Sequence, residues 1–218
     1  MVETFPAAAI GGQFQNAFIG RISDLDVATD RGAALSRLVE YHQQARHDLG
    51  FGEMHFVTAE QVHGNGVAIV TAATHSPVAG VDALITNEPG VCLGMYVADC
   101  CAVYAVDTEH DCIGLAHSGK KGTALGIVPA MLAKMACAYG TDPGKVIVQL
   151  SPCIRPPLYE IDFAAEIVRQ CHALGVGEVI DSGACTGSDL ESYYSYRMEK
   201  GQTGRMLALL AITGRMAD

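Results

Sequence analysis

The chain has 218 residues, half of them hydrophobic and 17% charged, with a mean hydropathy of +0.22. That composition excludes a disordered chain, and the length suits one well-filled domain, 1–218, better than two. A net charge of −10 argues against a general nucleic-acid binder, which needs a basic face, but leaves room for a local cationic pocket built from a few placed residues. No run of about eighteen apolar residues is present to span a membrane. The opening MVETFPAAAIGGQFQNAF lacks a basic segment followed by a long apolar one, so no secretory signal is expected. The eight cysteines form no CxxC pair and lie mostly in apolar runs. They read as reduced thiols of a cytoplasmic protein.

The N-terminal residues are weakly patterned. A helix is predicted over 31–49, with Leu35, Leu38, Ala45 and Leu49 on one face, Thr29 or Asp30 as its cap and Gly50 at its end. Strands are predicted over 54–58, 67–71, 81–86, 91–98, 101–107 and 112–117, separated by turn residues such as Gly64-Asn65-Gly66 and Asn87-Glu88-Pro89-Gly90. A helix over 124–139 follows, in which Pro129 predicts a late start or a kink. A strand over 145–150 leads to a Pro-rich loop, 151–157. A helix over 163–174, capped by Asp162 and ended by Gly175, and a strand over 206–213 complete the chain. Consecutive strands with helices gathered around them indicate an α+β fold with antiparallel or mixed sheets.

Three residues stand at predicted strand ends: His63 in Gln61-Val62-His63-Gly64, Cys100 in Ala98-Asp99-Cys100-Cys101, and His117 in Ala116-His117-Ser118-Gly119. Two imidazoles and one thiolate make three protein ligands for a zinc-type ion and leave a fourth position open. Taken singly, each residue is more readily a packing or surface residue than a ligand, because separations of 37 and 17 positions are non-local and carry little information. Strand alternation places Cys100 and Cys101 on opposite faces, so only one can join such a site. The turn Ser118-Gly119-Lys120-Lys121-Gly122-Thr123 offers amides and two lysines to an anion. Gly114 to Lys121 approaches a phosphate-cradling P-loop, but Lys121 stands where a magnesium-holding Ser or Thr belongs and Gly114 falls inside a strand.

Taken in order, Gln61-Val62-His63-Gly64, Val81-Asp82-Ala83-Leu84-Ile85-Thr86, Ala98-Asp99-Cys100 and His117-Ser118-Gly119 resemble the laccase-domain, or polyphenol-oxidase-type, family. So do Ser151-Pro152-Cys153-Ile154 with Tyr159-Glu160-Ile161, and further on Cys185-Thr186, Ser195-Tyr196-Arg197 and Thr203-Gly204-Arg205. The resemblance covers about residues 55–215. It implies a single-domain α/β sandwich with two central mixed sheets flanked by helices. It also implies a metal site at His63, Cys100 and His117, holding zinc or copper. The implied activity is phosphorolysis of adenosine, inosine and methylthioadenosine, with adenosine deamination beside it.

On that reading Cys100 and His117 are catalytic, and Asp99 is a supporting or proton-handling group. Gln61, Lys120, Lys121 and Arg197 bind a purine nucleoside and phosphate, and the chain acts as a monomer with no nucleic-acid or membrane partner. The chain departs from the family where Ala-Gly-Trp-Arg-Gly usually follows the last histidine: Ser118-Gly119-Lys120-Lys121-Gly122 stands there. The lost Trp and Arg point to a slow enzyme or a shifted substrate. Two other chemistries fit the same residues. One is a copper polyphenol oxidase, disfavoured because the eight histidines form no His-x-His pair. The other is a Cys–His hydrolase with Cys100 as nucleophile and His117 as base.

Overall fold

A computed structural model describes residues 1–213, so the last five positions of the expected 1–218 domain lie outside the described residues. Its first surprise is the N-terminus, where Val2–Glu3 (β1) and Phe14–Ile19 (β2) bracket a 3-10 helix at Pro6–Gly12. Phe14 and Phe18 face one core while Ala17 and Ile19 face another. A strand covered on both faces shows no polar alternation, which is why the pattern is weak there. Asn16 shares the face of Phe14 and Phe18, and its amide holds both the N–H and the C=O of Phe5.

The helix at Arg31–Asp48 (α1) is capped by Asp30, whose carboxylate accepts the amides of Gly32 and Ala33. The six strands that follow begin and end within two residues of expectation: His55–Thr58 (β3), Val67–Ile69 (β4), Ala83–Thr86 (β5), Val91–Val97 (β6), Cys101–Asp107 (β7) and Cys112–Ser118 (β8). The supposed basic loop is instead largely a short helix, Lys120–Ala124 (α2). Gly126, in the left-handed region at φ 73°, separates it from Ile127–Tyr139 (α3). Pro129 therefore sits in the first turn of α3, where its missing N–H costs nothing, and the helix starts late. Val146–Leu150 (β9), Phe163–Ala173 (α4), Glu178–Asp181 (β10) and Met206–Ile212 (β11) complete the order. β10 escaped the sequence reading because it is a short, half-exposed edge strand.

The strands form two mixed sheets, ordered β1-β2-β11-β6-β3 and β10-β9-β7-β8-β5-β4. The pairs β3·β6, β4·β5 and β9·β10 are parallel and the remaining ones antiparallel. Phe18, Leu93, Met95 and Leu210 from the first sheet pack between the layers against Leu84, Tyr104, Ile113 and Leu115 from the second. The outer face of the second sheet is covered by α3 and α4, through Met131, Met135, Phe163 and Ile167. The outer face of the first is met by Ala45 and Leu49 around α1. This is an α+β sandwich of two central sheets flanked by helices. Gly114 does lie inside β8, where any Cβ would meet Met131 and Met135, so the P-loop resemblance has no structural counterpart. All eight cysteines are free thiols. Among the described residues no helix is long and apolar enough to cross a membrane.

Candidate metal centre and substrate cavity

Three connections converge at one end of the sandwich. The β3–β4 loop carries His63, the three residues Ala98-Asp99-Cys100 cross from β6 in one sheet to β7 in the other, and His117 is the penultimate residue of β8. Parity along β8 places His117 on the inter-sheet face of Ile113 and Leu115, beyond the end of the apolar core. The donor atoms of His63, Cys100 and His117 lie within 4.8 Å of one another, and no second group of this kind occurs among the described residues. The His63 and His117 rings meet edge to face at 4.8 Å. Cys101 points the other way, into the core beneath α3 and α4, as strand alternation requires. Gly119 is needed because any Cβ there would overlap the Cys100 sulfur.

What holds the three together is Asp82, a fully buried carboxylate just before β5. Its Oδ1 accepts from His117 Nδ1 at 2.9 Å and from the His63 amide at 2.9 Å, while Oδ2 accepts from the amides of Gly64 at 2.7 Å and Val62 at 3.2 Å. Nδ1 of His117 is thereby fixed as a donor and Nε2 is left for a ligand, the arrangement that orients metal-binding imidazoles. Burial pushes Asp82 up, but these hydrogen bonds and the His117 charge outweigh it and hold the carboxyl below its ordinary range. Sequence reasoning quoted Asp82 within a motif without giving it a role. The available signal was an acid at the head of an apolar strand, which must be partnered to be buried.

Burial raises the Cys100 thiol, yet the neighbouring His117 charge and the hydrogen bonds from His117 and His63 bring it down to about 6. Burial likewise opposes the His117 imidazolium, but Cys100 first and Asp82 next carry it up to about 9. Both shifts favour a thiolate–imidazolium pair in the metal-free site. Two imidazoles and a low-pKa thiol, one imidazole braced by a carboxylate, fit a borderline-soft divalent ion.

The cavity outside this triad has a volume of about 940 Å³. Its walls include Arg31, Lys120, Lys121, Arg197, Lys200 and Arg205, with Asp99 as the only acid among the lining residues. Gln61, Asp99, Lys120, Lys121 and Arg197 all reach this cavity, but they do not play equal parts. Gln61 uses its side-chain amide on the main chain of Tyr96, donating to the carbonyl and accepting from the N–H. Asp99 accepts from the Thr186 hydroxyl and from the Arg197 amide, both at 2.7 Å. Both residues position other groups. Lys120 and Arg197 share one carboxylate, Glu160, at 3.5 and 2.6 Å, and Arg197 also lies over the Tyr159 ring. Lys121 is exposed on α2 and makes no ion pair among the described residues.

Arg31 and Arg205 were not singled out as site residues from the sequence. Arg31 opens α1, and Arg205, 8% exposed, precedes β11 and gives Nη1 to the carbonyls of Thr203 and Gly204. Burial and then the nearby Arg31 charge pull Arg205 down, with Tyr196, Cys100 and Asp99 acting in the opposite sense. Six non-glycine residues adopt positive φ among the described residues, and four of them, Gln61, His63, Asp99 and Lys200, line this cavity. Each such residue costs on the order of 1 kcal/mol or more, and strain of this kind gathers where side chains must be aimed.

The sequence profile of the multi-copper polyphenol oxidoreductase laccase family matches residues 11–169 and 159–213. The chain belongs to that family. Curated relatives carry a different activity in their names. A purine nucleoside phosphorylase, YlmD of Geobacillus stearothermophilus, is 29% identical over 92% of this chain and 86% of its own. Purine nucleoside phosphorylases of Streptomyces coelicolor and Deinococcus radiodurans are 30% and 32% identical, covering 83% and 77% of this chain and 83% and 74% of theirs. The crystal structure of the Geobacillus YlmD superposes with a TM-score of 0.84 at 24% identity, covering 96% of this chain and 94% of that one. That of the Neisseria meningitidis protein NMB0706 gives 0.80 at 21%, with 98% and 99% covered. Both share this fold. The relatives' names point to small-molecule substrates for the family.

Proposed function

We propose that the chain, acting as one domain and as a cytoplasmic monomer, is a metal-dependent purine nucleoside phosphorylase. The observation that carries the reading is a cationic cavity, in a protein of net charge −10, opening directly onto a His–Cys–His cluster. His63, Cys100 and His117 would hold zinc, or copper with the same donors, and the ion supplies Lewis-acid chemistry at an open coordination position. Lys121 holds inorganic phosphate, with Lys120 released to it when Glu160 stays with Arg197. Tyr159 and Tyr196 offer apolar ring faces to the purine in place of the family's Trp. Phosphate oxygen attacks C1′ of the ribose, the C1′–N9 bond breaks, and the base leaves with the proton that phosphate gives up. Gln61 and Asp99 keep the Tyr96 and Arg197 segments in register around the sugar. Adenosine, inosine and methylthioadenosine are the expected substrates. Adenosine deamination by the same site is a side activity in which water adds to C6 of the purine, the C6–N6 bond breaks and ammonia leaves.

The test is product analysis of adenosine and inosine incubated with zinc-loaded protein, with and without phosphate. Free base and ribose 1-phosphate appearing only with phosphate is the expected result. No phosphate-dependent base release from any purine nucleoside overturns it. A multicopper oxidase has less support, since no second metal-ligating group exists among the described residues to build a multinuclear centre. A Cys–His hydrolase has one observation in its favour: Asp82, His117 and Cys100 form an orienting acid, a base and a thiolate in sequence. Loss of turnover on alkylating Cys100 in metal-free protein would identify that alternative.

A further inference from the structure

Basic side chains are the minority in this protein, 14 against 24 acidic ones, yet among the described residues six of them line one cavity whose lining includes a single carboxylate. That carboxylate, Asp99, is occupied by Thr186 and the Arg197 amide. Glu160 at the rim answers Lys120 and Arg197 together. Arg31, Lys121, Lys200 and Arg205 remain with no ion pair among the described residues. One inorganic phosphate dianion at Lys121 balances only part of this charge.

The other part is built differently. Arg205 is more than nine-tenths buried, and its guanidinium is fixed by two main-chain carbonyls; Asp99 and Cys100 are near enough to act on its charge, but no carboxylate among the described residues pairs with it. Arg31, the first residue of α1, lines the same cavity, its guanidinium donating among the described residues to the Glu60 carbonyl alone. Two like charges held on one wall, one of them buried, are unfavourable until an anion arrives between them. Two guanidinium forks are also the groups best shaped for phosphate oxygens.

We propose that the cavity takes a purine nucleotide, the nucleoside bearing a 5′-phosphate, with that phosphate held by Arg31 and Arg205, apart from the inorganic phosphate at Lys121. The inference rests on the phosphorylase reading for the identity of base and sugar, and on the cation arrangement for the added phosphate. Phosphorolysis of such a substrate would join a phosphate oxygen to C1′, break C1′–N9 and send the phosphate proton to the base. The products are free purine and ribose 1,5-bisphosphate.

The experiment is calorimetric titration of the zinc-loaded and the metal-free protein with adenosine 5′-monophosphate and with adenosine, each without and with saturating inorganic phosphate. The monophosphate is expected to bind tighter than adenosine by about tenfold or more, the scale of charge-assisted hydrogen bonds, and to keep that advantage when phosphate is saturating. Arg31→Gln, an exposed position, should remove most of the advantage, and Lys121→Gln should weaken phosphate while leaving it. Arg205→Lys, which retains the charge but loses the fork, should reduce it in part. Equal binding of the two ligands, loss of the advantage in phosphate, or its persistence in Arg31→Gln overturns the proposal. Base release from adenosine without any preference for the monophosphate would remove this inference and leave the phosphorylase reading standing. Tight, Arg31-dependent monophosphate binding with no base release from either ligand would do the reverse.

Discussion

The two ends of the β7–β8 hairpin carry the same three side-chain types. At one end are Asp82, His117 and Cys100, and at the other Asp107, His110 and Cys112. Both aspartates are fully buried, and each accepts from an imidazole Nδ1, at 2.9 and 3.0 Å, as well as from backbone amides. The order in space differs. At the hairpin turn the thiol lies beside the carboxylate and the hydroxyl of Thr141. Burial, with the Asp107 charge adding to it, pushes Cys112 up to about 11. At the open end the imidazole stands between acid and thiol, and Cys100 comes down to about 6. A buried aspartate hydrogen-bonded to an imidazole is thus first a way to tie a turn. It becomes chemistry only where a thiol and a second imidazole approach the far side of the ring.

The largest expected effect tests that distinction directly. Cys100→Ala should lose stoichiometric zinc under mild chelation, while Cys112→Ala should retain it. Metal analysis after dialysis decides, and equal retention in both variants would falsify the site assignment. Next comes the carboxylate: Asp82→Asn should weaken zinc affinity by roughly 10–100-fold, the usual scale for a group behind a ligand. Asp107→Asn should lower the melting temperature through its lost turn contacts and leave zinc affinity unchanged, as chelator competition would record.

The thiols supply a pH test. The Cys100 thiolate fraction falls as pH drops through about 6, so alkylation of metal-free protein should stay fast from pH 9 down to that point. Cys112, fully buried and with its thiol pushed up, should remain unmodified over the same range. Peptide mapping after a brief iodoacetamide pulse separates the two, and added zinc should protect Cys100 alone. Smallest of all is Lys121→Ala, which removes one exposed charge. The phosphate requirement should rise roughly fivefold, on the order of 1 kcal/mol for an exposed ionic contact, with zinc content and melting temperature unchanged.

Local physics made much of this molecule legible in the sequence. Apolar runs bounded by Gly, Pro and Asn marked β3 to β8 and β11, and Asp30 and Asp162 sit where caps belong. His63, Cys100 and His117 were visible because each interrupts a strand end, and the family resemblance joined them. Tertiary structure decided what periodicity does not encode. Strand order and register bring residues 37 and 17 positions apart within 4.8 Å, and neither is fixed by side-chain alternation. β2 was invisible because burial on both faces erases the alternation from which a strand is read. Charge behaves likewise: Lys120 and Lys121 are neighbours in sequence, but only the fold gives Glu160 to one and leaves the other open. Arg31 and Arg205, 174 positions apart, share a cavity wall because α1 begins and β11 begins at the same end of the sandwich. An ion pair is a distance, and distance between remote positions is what folding alone supplies.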